Sequence, residues 1–90
     1  MNKLALVPTN QFKRDARKQF QMLLTAEWAE VLYCLINDKE MPDKYCDHSL
    51  TGDFKDYREC HVKPDLLLVY SKRGNELHLA RLGTHSELFG

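Results

Sequence analysis

Leu66-Leu67-Leu68-Val69-Tyr70 is an unbroken apolar run, entered through the turn signal Pro64-Asp65. A run this short, bounded by turn residues, reads as a buried strand. It organises its neighbours. After it, Arg73-Gly74-Asn75 reads as a hairpin turn, and Glu76 to Leu82 alternates as a last strand closed by Gly83. Before it, residues 54–61 (FKDYRECH) alternate well enough for a strand. Three consecutive antiparallel strands would set the start of the middle one beside the ends of the other two. Residues 84–90 read as a tail.

Upstream the period changes. Residues 3–7 form a short apolar-rich run ended by Pro8, a first strand. Thr9 or Asn10 can cap a helix in which Phe12, Ala16 and Phe20 share one face. Thr25 caps a second helix, with Glu27 in its first turn near the positive end of the helix dipole. Its apolar stripe is Trp28, Val31, Leu32, Leu35 and Ile36. From Asp38 to Asp53 regular pattern stops, and a connection this long in a small domain is usually functional or mobile. The order βααβββ predicts an α+β fold, two N-terminal helices packed on a small, mostly antiparallel sheet.

With 90 residues, the chain is one domain spanning 1–90. It buries only about 60–65% of its unfolded surface, so each large apolar residue matters. Thirteen Lys and Arg balance thirteen Asp and Glu, for a formal net charge of +0. The balance is not local: residues 1–20 hold Lys3, Lys13, Arg14, Arg17 and Lys18 against Asp15 alone. A local basic face can steer a polyanion even on a neutral molecule. No apolar run approaches the roughly 18–20 residues of a membrane span. The opening Met1 to Pro8 is too short and too quickly polar for a secretory signal. With three cysteines, Cys34, Cys46 and Cys60, an odd number, the expectation is reduced thiols in the cytoplasm.

Four histidines stand out: His48, His61, His78 and His85. The strand order above gathers His61, Asp65 and His85 at one edge of the sheet. Imidazoles with nearby acids and Arg81 suit general acid–base cleavage of a phosphodiester, because histidine exchanges protons near neutral pH. The plainer alternative is surface histidines with routine polar roles. Zinc is disfavoured: Cys46-x-His48 and Cys60-His61 lack the usual ligand spacing, and adjacent strand residues face opposite ways. Cys34 fits a small core position. Phe89, an aromatic at the end of the chain, is a candidate to stack on a base.

Three blocks carry a family resemblance: Tyr45-Cys46-Asp47-His48-Ser49-Leu50-Thr51-Gly52, then Tyr57-Arg58-Glu59-Cys60-His61-Val62-Lys63-Pro64-Asp65 running into Leu66 to Tyr70, then Arg81-Leu82-Gly83-Thr84-His85-Ser86-Glu87-Leu88-Phe89. In order and spacing they resemble the YafQ-type toxins of the RelE/ParE superfamily. The N-terminal half matches only in length and helical pattern. The resemblance implies an endoribonuclease of a bacterial type II toxin–antitoxin module. Its expected substrate is messenger RNA on the ribosome, cut at the A site to leave a 2′,3′-cyclic phosphate, without a metal or other cofactor. A DinJ-like antitoxin would neutralise it as a hetero-oligomer. On that resemblance His48, His61, Asp65 and His85 are the general acid–base set. Glu59, Lys63, Arg81 and Phe89 fall to substrate binding, with Glu59 standing where aspartate is common. His85 is assigned as acid and His61 as base, an order the sequence leaves reversible, with Asp65 orienting a ring and His48 assisting. Many ribosome-dependent toxins are clearly basic, whereas this chain is neutral. Two other classes share the composition: a ParE-like gyrase poison, which would lack the histidine set, and a non-catalytic interaction module.

Overall fold

The computed structural model describes residues 3–90, so Met1 and Asn2 of the opening stretch lie outside it. The fold is α+β, with three helices and a five-stranded mixed sheet. In chain order the elements are β1 (Ala5–Pro8), α1 (Asn10–Lys18), α2 (Ala26–Ile36), β2 (His48–Ser49), β3 (Arg58–Lys63), β4 (Leu66–Arg73), β5 (Glu76–Gly83) and α3 (His85–Phe89). The sheet runs β1-β5-β4-β3-β2. Only the β1–β5 pair is parallel; the other three pairs are antiparallel.

The central strand is where its composition puts it. Leu66 to Ser71 are all buried, as expected of a strand covered on both faces. Alternation then divides the sheet. Cys60, Val62, Leu66, Leu68, Tyr70, Leu77, Leu79 and Leu82 join Phe12, Trp28, Val31 and Leu35 of the two long helices in one core. The Thr9 hydroxyl accepts from Phe12 N at 3.0 Å and the Thr25 hydroxyl from Trp28 N at 3.3 Å, so each helix starts on its threonine cap. Among the described residues, no helix is long and apolar enough to cross a membrane.

Four sequence expectations change. Phe20 does not extend the apolar face of α1. That helix ends at Lys18, a 3₁₀ turn over Phe20–Leu24 redirects the chain, and Phe20 is left 59% exposed while Leu23 packs on the core. The strand expected over 54–61 begins only at Arg58. Gly52, with φ of +66°, opens a 3₁₀ turn over Gly52–Phe54, and local bonds such as Tyr57 N to Phe54 O at 2.9 Å replace ladder bonds. The stretch 38–53 contains the two-residue strand β2, which continues the sheet beyond β3. Residues 84–90 are not a bare tail, because Thr84 and Glu87 close a capping box that starts α3. The helix folds back so tightly that a Cβ on Gly83 would stand 2.9 Å from Glu87 Oε1 and 3.3 Å from a Leu88 methyl.

Candidate active site

The sheet register assembles the site from distant parts of the chain. His48 is paired with Glu59, Glu59 with Val69, and Val69 with Arg81. Directly paired residues on adjacent strands share a face, so these four form a row across β2, β3, β4 and β5. The next row is His61, Leu67 and Gly83. Two residues beyond Gly83 lies His85, on the first turn of α3. Both rows lie on the face opposite the main core.

Within the face, His48 pairs with Glu59. His48 Nε2 lies 3.1 Å from Glu59 Oε2, and the carboxylate is buried. The other ring nitrogen, Nδ1, lies 2.7 Å from the Cys46 carbonyl oxygen. Both contacts are to oxygen acceptors, so the ring satisfies them together only as a double donor. The His61 ring centroid is 6.4 Å from that of His48. On the far side of Glu59, a cavity of about 230 Å³ is lined by Leu50, Thr51, Phe54, Glu59, His85 and Phe89. His85 and Phe89 stack obliquely with centroids 5.4 Å apart, one helical turn from each other. Glu59, His48, His61, His85 and Phe89 are thus brought together along one face.

Three expected site residues stand differently. The register shifts between His61 and Lys63, which sets Lys63 opposite the core residue Leu66. Its ammonium donates to Glu27 Oε1 of α2 at 3.1 Å, beside a cavity that His61 also lines. Arg81 turns to the edge of β5, where Nε donates to Asp15 Oδ2 at 2.8 Å and Nη2 to Asp15 Oδ1 at 3.4 Å. Asp65 is exposed on the turn between β3 and β4. His78 pairs with Glu76 at 3.0 Å on β5, beside β1 and outside this cluster. Cys60 is fully buried in the core behind the face that carries His61, so the two cannot share one ion.

The residues that support His48 are joined by long-range bonds. Asp47 accepts from Arg58 Nη2 at 2.9 Å and from the Tyr70 hydroxyl, which ties the segment before His48 to β3 and β4. Arg58 Nη1 also donates to Ser49 at 2.7 Å. The Asp47 hydrogen bond pushes the Arg58 guanidinium further up, and burial followed by Asp47 pushes the Tyr70 phenol up. Asp15 is buried, which alone would raise its carboxyl. Hydrogen bonds from Arg81 and from Leu82 N at 2.9 Å outweigh that and hold it below the usual carboxylate range. Asp47 lay in a motif block, but its partners are 11 and 23 residues away. Alternation predicts a strand at Phe54, and only the 3₁₀ turn of the folded chain brings it to the cavity.

The molecule is a small α+β domain with three histidines, a buried carboxylate and an aromatic pair on one sheet face. The chain has named relatives. A family model described as the bacterial toxin YafQ of type II toxin–antitoxin systems matches residues 4–90. The mRNA interferase toxin YafQ of Escherichia coli strain B is 36% identical over 86 residues, covering 91% of each chain. A copper-bound mutant toxin from Helicobacter pylori superposes with a TM-score of 0.88 at 39% identity, over 96% of this chain and 99% of that one. The toxin in the E. coli DinJ–YafQ toxin–antitoxin complex superposes at 0.82 with 33% identity, over 98% and 99%. The chain belongs to the YafQ family of bacterial toxins of type II toxin–antitoxin systems.

Proposed function

We propose that the chain is an endoribonuclease that cleaves messenger RNA at the ribosomal A site by metal-independent general acid–base chemistry. The observation that carries this reading is the clustering of His48, Glu59, His85 and Phe89 on one open face, with His61 beside them. In the reaction a base takes the proton of the RNA 2′-hydroxyl, and the 2′-oxygen attacks the adjacent phosphorus. The bond from phosphorus to the 5′-oxygen breaks as an acid protonates that oxygen, leaving a 2′,3′-cyclic phosphate and a free 5′-hydroxyl. His61 is assigned as base and His85 as acid. Asp65, on the turn after His61's strand, is the exposed carboxylate available to orient an imidazole. The His48–Glu59 pair holds a second imidazole in place beside His61.

Phosphorane charge needs a cation. Arg81 is that group on sequence grounds, and its hold on Asp15 leaves Nη1 for a phosphate oxygen. Lys63, tied to Glu27, would have to release that pair to reach RNA. Each proton transfer is assigned to a side chain.

As in the E. coli complex of relatives, a DinJ-like antitoxin is the expected inhibitor, acting in the cytoplasm as part of a hetero-oligomer. The deciding experiment incubates a defined messenger RNA with the purified chain, with and without programmed ribosomes, beside His85→Ala. Cutting on ribosomes alone, reduced at least about 100-fold in the variant, is the expected result. Growth arrest with no cutting in either setting would sink the nuclease reading and bring gyrase inhibition forward.

A further inference from the structure

We propose that Phe54 is a base-stacking residue: with Phe89 it forms an aromatic corner that receives one nucleobase of the RNA beside the reacting phosphate. The inference rests on the ribonuclease reading above and extends it to a residue that reading does not use. Phe54 is 48% exposed and Phe89 37% exposed. Their rings meet edge to face, with centroids 5.8 Å apart and planes at 87°. A lone exposed phenylalanine is ordinary on a protein surface. Two perpendicular rings that line the same cavity as Glu59 and His85 are a different case.

The backbone presents Phe54 outward. Its segment is a 3₁₀ turn in which Phe54 N donates to Thr51 O at 3.3 Å, Lys55 N to Gly52 O at 3.2 Å and Tyr57 N to Phe54 O at 2.9 Å. The ring takes no part in the main core. Its placement is set locally, and half its surface remains for a ligand. Phe89 continues the wall toward His85, whose ring lies 5.4 Å away. A base in this corner would stack on a ring face while its sugar–phosphate runs toward the imidazoles. Stacking suits any base, since each has a π-face, so the corner favours single-stranded RNA with modest sequence preference.

The test uses the whole chain and a single-stranded RNA methylated at every 2′-oxygen, which lacks the nucleophile and stays uncut. Affinity is read by fluorescence anisotropy for wild type, Phe54→Trp, Phe54→Leu and Phe54→Ala, each with a thermal melt. Stacking predicts that Phe54→Leu and Phe54→Ala bind about tenfold more weakly with unchanged melting. Phe54→Trp should bind at least as tightly as wild type, with the new indole quenched on binding. If Phe54→Leu binds like wild type, apolar volume rather than a π-face is needed and the proposal is wrong. If all three variants bind like wild type, Phe54 lies outside the RNA path, as expected of a ring that serves only a protein partner, and the proposal is equally wrong. Absence of cleavage by wild type both with and without programmed ribosomes would bring down the ribonuclease reading, and Phe54's role with it; cleavage on ribosomes by a wild type that does not bind the free RNA would bring down the stacking role alone. Intact wild-type cleavage with unaltered Phe54→Leu binding would bring down the stacking role alone.

Discussion

Glu59 is one methylene longer than an aspartate, and that length matters to what it touches. The longer side chain delivers Oε2 to His48 Nε2 at 3.1 Å while the carboxylate itself stays buried. A buried carboxylate without a partner is costly, so the pair is a unit. Glu59→Gln should slow cleavage about tenfold by releasing the His48 ring, with little change in KM. Adding His48→Ala should then cost almost nothing more, because the two changes remove one interaction. Additive losses would show that the residues act separately. The cysteines divide just as sharply. Burial, with the Asp47 and Glu59 charges, pushes the Cys60 thiol up to about 12, whereas Cys46 is exposed. A thiol reagent at neutral pH should label Cys46 quickly and reach Cys34 and Cys60 only after denaturation. Rapid native labelling of more than one thiol per chain would contradict this packing.

At the scale of elements, α3 is the part whose order the site depends on most, because it carries both His85 and Phe89. Five residues are too few for a helix to hold itself. What holds it is the reciprocal capping box, with Glu87 N donating to Thr84 Oγ1 at 3.1 Å and Thr84 N donating to Glu87 Oε1 at 2.8 Å, together with the close seat on Gly83. Thr84→Ala should cost about 1 kcal/mol of stability and should lower activity by more than that loss explains. Chemical denaturation beside a cleavage assay would read both; equal activity would mean that α3 is ordered without its cap. The segment before β2 is held in the same spirit by long-range bonds. Asp47 ties it to β3 and β4, and the Tyr45 hydroxyl donates to Glu30 of α2.

For the whole molecule, Asp15 joins the helical layer to the sheet. β1 covers β5 only as far as Leu79, and Asp15 receives Leu82 N at the edge left open beyond it. Its carboxyl is held below the usual carboxylate range by Arg81 and Leu82 N. A group with a lowered folded pKa stabilises the fold above its unfolded pKa, and that stability is lost as pH falls through the folded value. Wild type should therefore lose stability below about pH 4, while Asp15→Asn should be less stable at pH 7 and flatter in acid. Denaturation midpoints across pH 2–7 would test this, and parallel curves for the two proteins would show that Asp15 does not titrate with folding.

The strand at 66–70, the hairpin turn after it and the threonine-capped helix starts were legible from sequence because each rests on neighbours a few residues away. The histidines were legible as candidates through the resemblance, and sheet register brings His48 and His61 close together. The capping box at Thr84 was there to be read, yet a five-residue helix has too little periodicity to draw attention. Other features were not local. Lys63 is tied to a carboxylate 36 residues away, Arg81 is held by one 66 residues away, and Phe54 meets Phe89 only after α3 folds back. The sequence alone determined the α+β class, the central strand and the identity of the histidines, since propensity and alternation act over a few residues. Only the tertiary structure decided which of those residues meet, because register, bulges and buried ion pairs join parts of the chain that share no local pattern.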